Sequence, residues 1–165
     1  MTDISVIVPV YNGEAFVDRC MESVFIQEGC DFEVVAVNDG STDNTSKILL
    51  NWQRLFGSRL KVKEQMNLGV AAARNRAIEI ASGRYISFLD VDDEYLEGRL
   101  VKYLELFNTD PGVGVIYSDP VVNIGDNEYR YYEFKRKKTY QGWIYKEILG
   151  NFPIILSTVD CRSDL

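Results

Sequence analysis

Tyr85-Ile-Ser-Phe-Leu-Asp-Val-Asp-Asp93 decides how this chain is read: an apolar run empties directly into three carboxylates within four residues. A run of this kind, without polar alternation, suits a strand buried on both faces. Carboxylates this close repel one another, so Asp90, Asp92 and Asp93 sit together most easily where a cation or helix-end amides compensate them. Oxygen-only ligands at a strand end suit Mg²⁺ or Mn²⁺. The plainer alternative is that Asp92 or Asp93 caps a helix beginning near Tyr95.

The neighbouring stretches decide between these readings. Upstream, Ile4-Ser-Val-Ile-Val-Pro-Val10 is β-branched and nearly all apolar, as an interior parallel strand would be. After Tyr11-Asn-Gly13 a helix is expected from about Glu14, with Val17, Cys20, Met21 and Val24 forming its buried stripe. Phe32-Glu-Val-Val-Ala-Val37 reads as the next strand and runs into Asn38-Asp-Gly-Ser-Thr-Asp43. There Ser41, Thr42 or Asp43 can cap a helix carrying Ile48, Trp52, Leu55 and Phe56 at helical spacing. Leu60-Lys-Val-Lys-Glu-Gln-Met66 suits an edge strand. Asn67-Leu-Gly69 then turns into an alanine-rich helix from Val70 to Ser82, with Gly83 as its stop.

Downstream of the carboxylates, Leu96, Leu100, Tyr103, Leu104 and Phe107 mark another amphipathic helix, ended by Asp110-Pro-Gly112. Val113 to Asp119 reads as a strand. The alternation predicts an α/β fold: a mainly parallel sheet flanked by helices, joined by right-handed crossovers, with ligands at the carboxyl ends of the strands. Tyr11, Asp39 and Asp90 all fall at those ends. From Pro120 the texture changes to a hairpin around Gly125-Asp-Asn127 and a C-terminal helix from about Tyr140 to Leu149. Lys135-Arg-Lys-Lys138 reads as a solvated hairpin end that can touch an anionic membrane or acceptor.

Composition narrows the functions. At 165 residues and 46% hydrophobic content the chain can bury one sizeable core. Its formal charge of −7, from 18 basic and 25 acidic side chains, argues against nucleic-acid binding, which needs a basic face. Cys20, Cys30 and Cys161 are odd in number and lack metal-ligand spacing, so three reduced thiols are expected. The absence of histidine removes histidine-ligated zinc and histidine-based triads. With no apolar segment approaching about 20 residues and no basic leader, the expected location is cytoplasmic.

Four segments carry a resemblance: Ser5-Val-Ile-Val-Pro-Val-Tyr-Asn12, Val37-Asn-Asp-Gly-Ser-Thr-Asp43, Asn67-Leu-Gly-Val-Ala-Ala-Ala-Arg-Asn75 and Leu89-Asp-Val-Asp-Asp93. In this order and spacing they resemble the inverting family-two glycosyltransferases of the Rossmann-like GT-A fold, with the likeness extending to about Asp119. The resemblance implies transfer of a sugar from a nucleotide diphosphate sugar, with Mn²⁺ or Mg²⁺, to a saccharide, lipid-linked or protein acceptor. It implies that Asp90 faces the ribose or sugar and that Asp92 ligates the metal, with Pro9 and Glu14 in the nucleotide-site neighbourhood.

The residues suit these roles in their own right. Tyr11 can stack on a flat base, or be an ordinary half-buried aromatic. Asp39 can accept the imide N–H of uracil, or hold its turn. Arg74 can neutralise a phosphate, or form a surface ion pair. Asn67 can position the nucleotide or only the turn. The family's general base is an aspartate in an acidic pair beyond a Gly-rich segment, and no such pair occurs here. Asp119, Glu133 and Asp160 are the remaining carboxylates to weigh, and no catalytic residue is assigned. The chain is therefore expected to be one GT-A-like domain truncated at its C-terminus. Residues 1–119 would be the nucleotide-sugar-binding core and 120–165 the start of the acceptor side, with the base beyond residue 165. The alternative is a non-catalytic nucleotide-sugar-binding or regulatory module. A phosphoacceptor receiver domain ranks lower, since it needs acidic residues where Tyr11-Asn-Gly13 stands.

Overall fold

The computed structural model describes residues 2–124, 127–131, 141–142 and 154–165. In chain order its elements are β1 (Ile4–Val10), α1 (Val17–Phe25), β2 (Phe32–Asp39), α2 (Thr45–Phe56), β3 (Leu60–Gln65), α3 (Val70–Ile80), β4 (Tyr85–Phe88), α4 (Arg99–Thr109), β5 (Val115–Tyr117), β6 (Val121–Ile124), β7 (Asn127–Arg130) and β8 (Val159–Arg162). The main sheet has the order β3-β2-β1-β4-β8-β5. β1 to β4 run parallel, whereas β8 lies antiparallel to both of its neighbours. The predicted mainly parallel α/β sheet is thus observed.

β1 shows why a strand here is apolar at nearly every position. Ile4, Val6, Val8 and Val10 face a core made with Val17, Cys20, Met21 and Val24 of α1, Leu49 of α2, and Leu100 and Phe107 of α4. Ile7 faces the opposite core with Val35, Val37 and the small Ala73 and Ala77 of α3. Period-two alternation therefore serves two hydrophobic layers at once. Truncating the fully buried Leu49 to alanine is expected to cost about 2–5 kcal/mol. The connection from β3 to β4 crosses from one side of β1 to the other, so the strand order reverses between β1 and β4. That reversal opens a crevice at the carboxyl ends of these strands, where open α/β sheets bind ligands.

Several boundaries differ from expectation for identifiable reasons. α1 starts at Val17 rather than Glu14, because Glu14 is bonded sideways to the β2–α2 loop. Leu55 is exposed and Leu49 takes the buried position on α2. α3 stops at Ile80, since the Ser82 N–H and hydroxyl both bond Glu33 of β2. Gly83 is needed for close approach: a Cβ there would lie 2.5 Å from the backbone nitrogen of Ser5.

α4 begins at Arg99, not near Tyr95, and its first-turn boundary is Gly98. Neither Asp92 nor Asp93 caps it, and Leu96 is exposed. β8, in the final run of the chain, has no counterpart among the predicted elements. The expected hairpin forms as β6 and β7. The expected helix at 140–149 and the basic run at 135–138 fall outside the described residues, apart from Gln141 and Gly142. Among the described residues, no helix is long and apolar enough to cross a membrane.

Candidate functional site

Three strand ends and one helix start form the site. Tyr11 follows β1 directly and is half-exposed, while Pro9 is buried within β1 opposite Val37. Asn12 takes a left-handed conformation, with φ 48°. This turn is fastened to the loop after β2. Asn12 N–H donates to Ser41 Oγ at 2.9 Å and its side-chain oxygen accepts from Thr42 N–H at 2.8 Å. Gly13 N–H donates to Thr45 Oγ1, and Glu14 N–H to Asp43 Oδ2. Glu14 Oε2 in turn accepts from the backbone and side-chain N–H groups of Asn44, both at 2.8 Å. Burial opposes ionisation of Asp43, yet the Thr45 hydroxyl and backbone N–H groups outweigh it and hold the carboxyl below its ordinary range. The sequence offered Ser41, Thr42 or Asp43 as a helix cap; the larger role of the run Ser41 to Thr45 is to lock two loops together.

Asp39 ends β2 and is 3% exposed. Its Oδ1 accepts from Gln65 Nε2 at 2.7 Å and Leu68 N–H at 2.8 Å, and its Oδ2 accepts from Gly69 N–H at 2.8 Å. Burial again works against the charge, but these three donors prevail and hold the carboxyl below the usual range. A carboxylate has about four lone-pair sites, so one remains, on Oδ2. The carboxylate thereby fixes the turn containing the exposed Asn67 and leading into α3. Gly40 (φ +71°) packs against that turn, where a Cβ would come 2.7 Å from the Asn67 nitrogen.

One turn into α3, Arg74 Nη2 meets Asp90 Oδ1 at 2.5 Å. Its Nε is buried without a partner. The structure thus brings Arg74 and Asp90 together as an ion pair, with Asp90 still partly exposed. Val91 packs beside the first turn, since a Cβ on Gly13 would lie 3.2 Å from Val91 Cγ2. Tyr11 and the acidic segment therefore border the same crevice. Asp92 is exposed, and among the described residues no cation pairs with it. Asp93 reaches the surface, yet partial desolvation raises its carboxyl, the nearby Ser157 hydroxyl opposes this, and the charges of Asp92 and Asp90 raise it further. Burial, joined by the charges of Asp93, Glu94, Asp92 and Asp90, pushes the Cys20 thiol up to about 12.

Among the described residues, no three acidic or cysteine side chains converge to hold a metal ion unaided. Mg²⁺-type ions are commonly held by one or two carboxylates together with substrate phosphates. An exposed Asp92 within a cluster whose negative charge already disfavours ionisation of Asp93 fits that kind of shared site.

The carboxylates weighed as bases lie elsewhere. Asp160 is buried on β8 and bonded by Arg99 Nη2 at 2.7 Å. Burial raises its carboxyl against the pull of Arg99. The guanidinium also lies over the Tyr95 and Tyr103 rings, 4.1 and 4.4 Å from their centroids. Asp160 is thus part of a structural clamp. Asp119 follows β5, and Glu133 falls outside the described residues.

The sequence profile described as "Glycosyl transferase family 2" matches residues 5–158. A glycosyltransferase of Rickettsia bellii (strain RML369-C) is 33% identical over 94% of the chain, which spans 22% of that relative's length. The structure of S. aureus TarS 1–349 in complex with UDP superimposes with a TM-score of 0.70 at 25% identity, covering 98% of this chain and 47% of that one. The mannosyltransferase PcManGT from Pyrobaculum calidifontis, in complex with GDP-Man and Mn²⁺, gives a TM-score of 0.63 at 27% identity over 69% of this chain and 34% of its own. With a GT-A-type sheet and a profile match across nearly its whole length, the chain belongs to glycosyl transferase family 2.

Proposed function

We propose that this chain binds the donor for transfer of a sugar from a UDP-sugar to an acceptor hydroxyl, with inversion at the anomeric carbon and with Mn²⁺ or Mg²⁺. The observation that carries the proposal is the acidic segment Asp90 to Asp93 bordering the same crevice as the half-exposed Tyr11, with Asp90 already oriented by Arg74. UDP in the TarS complex and GDP-Man with Mn²⁺ in the PcManGT complex support the ligand class.

In this reading Tyr11 stacks on the uracil, and the remaining lone pair of Asp39 Oδ2 accepts its imide N–H. Arg74 is committed to Asp90, so it acts by turning that carboxylate toward the ribose or sugar. Pro9, Glu14 and Asn67 shape the nucleotide cradle through the backbone and the loop bonds described above. Asp92 would hold the metal, which supplies positive charge as the diphosphate departs. The acceptor oxygen bonds to the anomeric carbon while the bond to the diphosphate breaks, and a base must take the hydroxyl proton. Asp160 is unsuited to that task because it is buried and held by Arg99. We assign residues 1–119 to the donor core, place the start of the acceptor side in 120–165, and seek the base outside the donor crevice.

Titration calorimetry with UDP, with and without Mn²⁺, tests the proposal. Affinity should rise with Mn²⁺ in the parent, and Asp92→Ala should remove that rise without lowering the melting temperature, since an exposed strand-end carboxylate contributes little to the core. Equal affinity of Asp92→Ala and the parent for UDP with Mn²⁺ would overturn the metal assignment.

A further inference from the structure

We infer that Ser157 is a positioning residue for the acidic segment, joining Asp90 and Asp93 through a single hydroxyl. Ser157 Oγ accepts from the backbone N–H of Asp90 at 3.1 Å, and the same hydroxyl lies beside the Asp93 carboxylate, where it favours the charged form. A hydroxyl offers one donor and two acceptor sites, so it can serve both contacts at once. The two groups bracket Asp92, the exposed carboxylate assigned to the metal. Ser157 therefore restrains the backbone on one side of Asp92 and the side chain on the other.

The hydroxyl is itself held in place. Ser157 is buried in a 3₁₀ turn, Leu156–Thr158, that leads directly into β8. The turn is closed by Thr158, whose N–H and hydroxyl donate to Ile155 O at 3.0 and 2.7 Å. Three residues beyond Ser157, Asp160 is gripped by Arg99 of α4 while β8 is hydrogen-bonded between β4 and β5. An antiparallel strand from the end of the chain thus reaches back to set the geometry of a loop 67 residues earlier. Outer groups that orient metal-binding carboxylates typically change metal affinity by about 10–100-fold when removed.

This inference rests on the donor reading above, and two measurements separate its failure from that of the reading. In metal-free protein, Ser157→Ala should raise the amide hydrogen-exchange rate of Asp90, with amides of β1 and β2 unchanged. In calorimetry with UDP, the same variant should lose about 10–100-fold of the Mn²⁺-dependent gain in affinity. An Asp90 amide as protected as in the parent would overturn the positioning role. So would a full Mn²⁺-dependent gain, or equal losses of UDP affinity with and without Mn²⁺, which would mark Ser157 as merely structural. A parent with no Mn²⁺-dependent gain would instead refute the donor reading and, with it, the metal-directed part of this inference, even where Asp90 exchange responds.

Discussion

Asp39→Asn replaces an acceptor-only carboxylate with a group that has one acceptor oxygen and one NH₂, within a ring of protein donors. The Gln65 amide can rotate to offer its oxygen to the new NH₂. The backbone cannot adjust in that way: Leu68 N–H bonds Oδ1 whereas Gly69 N–H bonds Oδ2, so one of them must face the NH₂. An unsatisfied buried donor costs about 1–3 kcal/mol, and hydrogen bonds to a charged acceptor are each worth about 1.5–3 kcal/mol, part of which is lost with the charge. Asp39 is only 3% exposed, yet it lies at the sheet rim with few protein atoms around it, so nearby solvent screens the charge. The lower part of the range applies, about 1–2 kcal/mol. Because the folded carboxyl lies below its ordinary value, its contribution is fully present above the unfolded value of about 3.9. It is lost as pH falls through the lowered folded value. Urea unfolding of the parent and Asp39→Asn should therefore differ steadily between pH 7 and 5 and converge at more acid pH. Equal stability at pH 7, or a gap that does not narrow in acid, would refute the loop-clamp reasoning.

Other outcomes follow from the same geometry. The parent should bind UDP at least about tenfold more tightly than CDP, because cytosine would set an acceptor against the Asp39 carboxylate; equal binding in calorimetry would remove Asp39 from base recognition. Gly40→Ala should destabilise the protein by about 1–2 kcal/mol from its left-handed conformation alone, and more from the contact with Asn67, as a lowered melting temperature would show. Asp160→Ala should cost about 3–5 kcal/mol by leaving the Arg99 charge buried and unpaired. An Asp160→Ala variant as stable as the parent but unable to transfer sugar would reinstate that carboxylate as a base.

Much of the fold was legible because its signals are local. β1 and β2 could be read from apolar runs, since burial on two faces removes polar alternation from the sequence itself. β3 could be placed at an edge because Lys61 and Lys63 interrupt its apolar character. The strand-end positions of Tyr11, Asp39 and Asp90 follow from topology alone. Their partners do not. That Arg74 turns inward to Asp90 depends on how α3 lies across β1 and β2, and the helical spacing of an arginine is equally compatible with a solvent-facing ion pair. The donors around Asp39 likewise come from Gln65, Leu68 and Gly69, which only the docked turn brings within reach.

The start of α4 shows why the acidic segment itself resisted a local reading. Its carboxylates looked able to cap a nearby helix, but Tyr95 is pulled into the core instead. The Tyr95 hydroxyl bonds Ser87 and the Phe88 carbonyl, and its N–H donates to Ser23 Oγ of α1. Gln27, just beyond α1, donates to the Leu96 carbonyl at 3.0 Å, and its side-chain oxygen accepts from Leu100 N–H at 3.3 Å. The first turn of α4 is therefore served by a side chain 73 residues away, and no Ser, Thr, Asp or Asn is required at its boundary. Because the core fixes residues 95–100 by these distant contacts, Asp92 and Asp93 are freed from capping. Their charges then remain available at the crevice, where mutual repulsion among carboxylates is relieved by any positive charge placed between them.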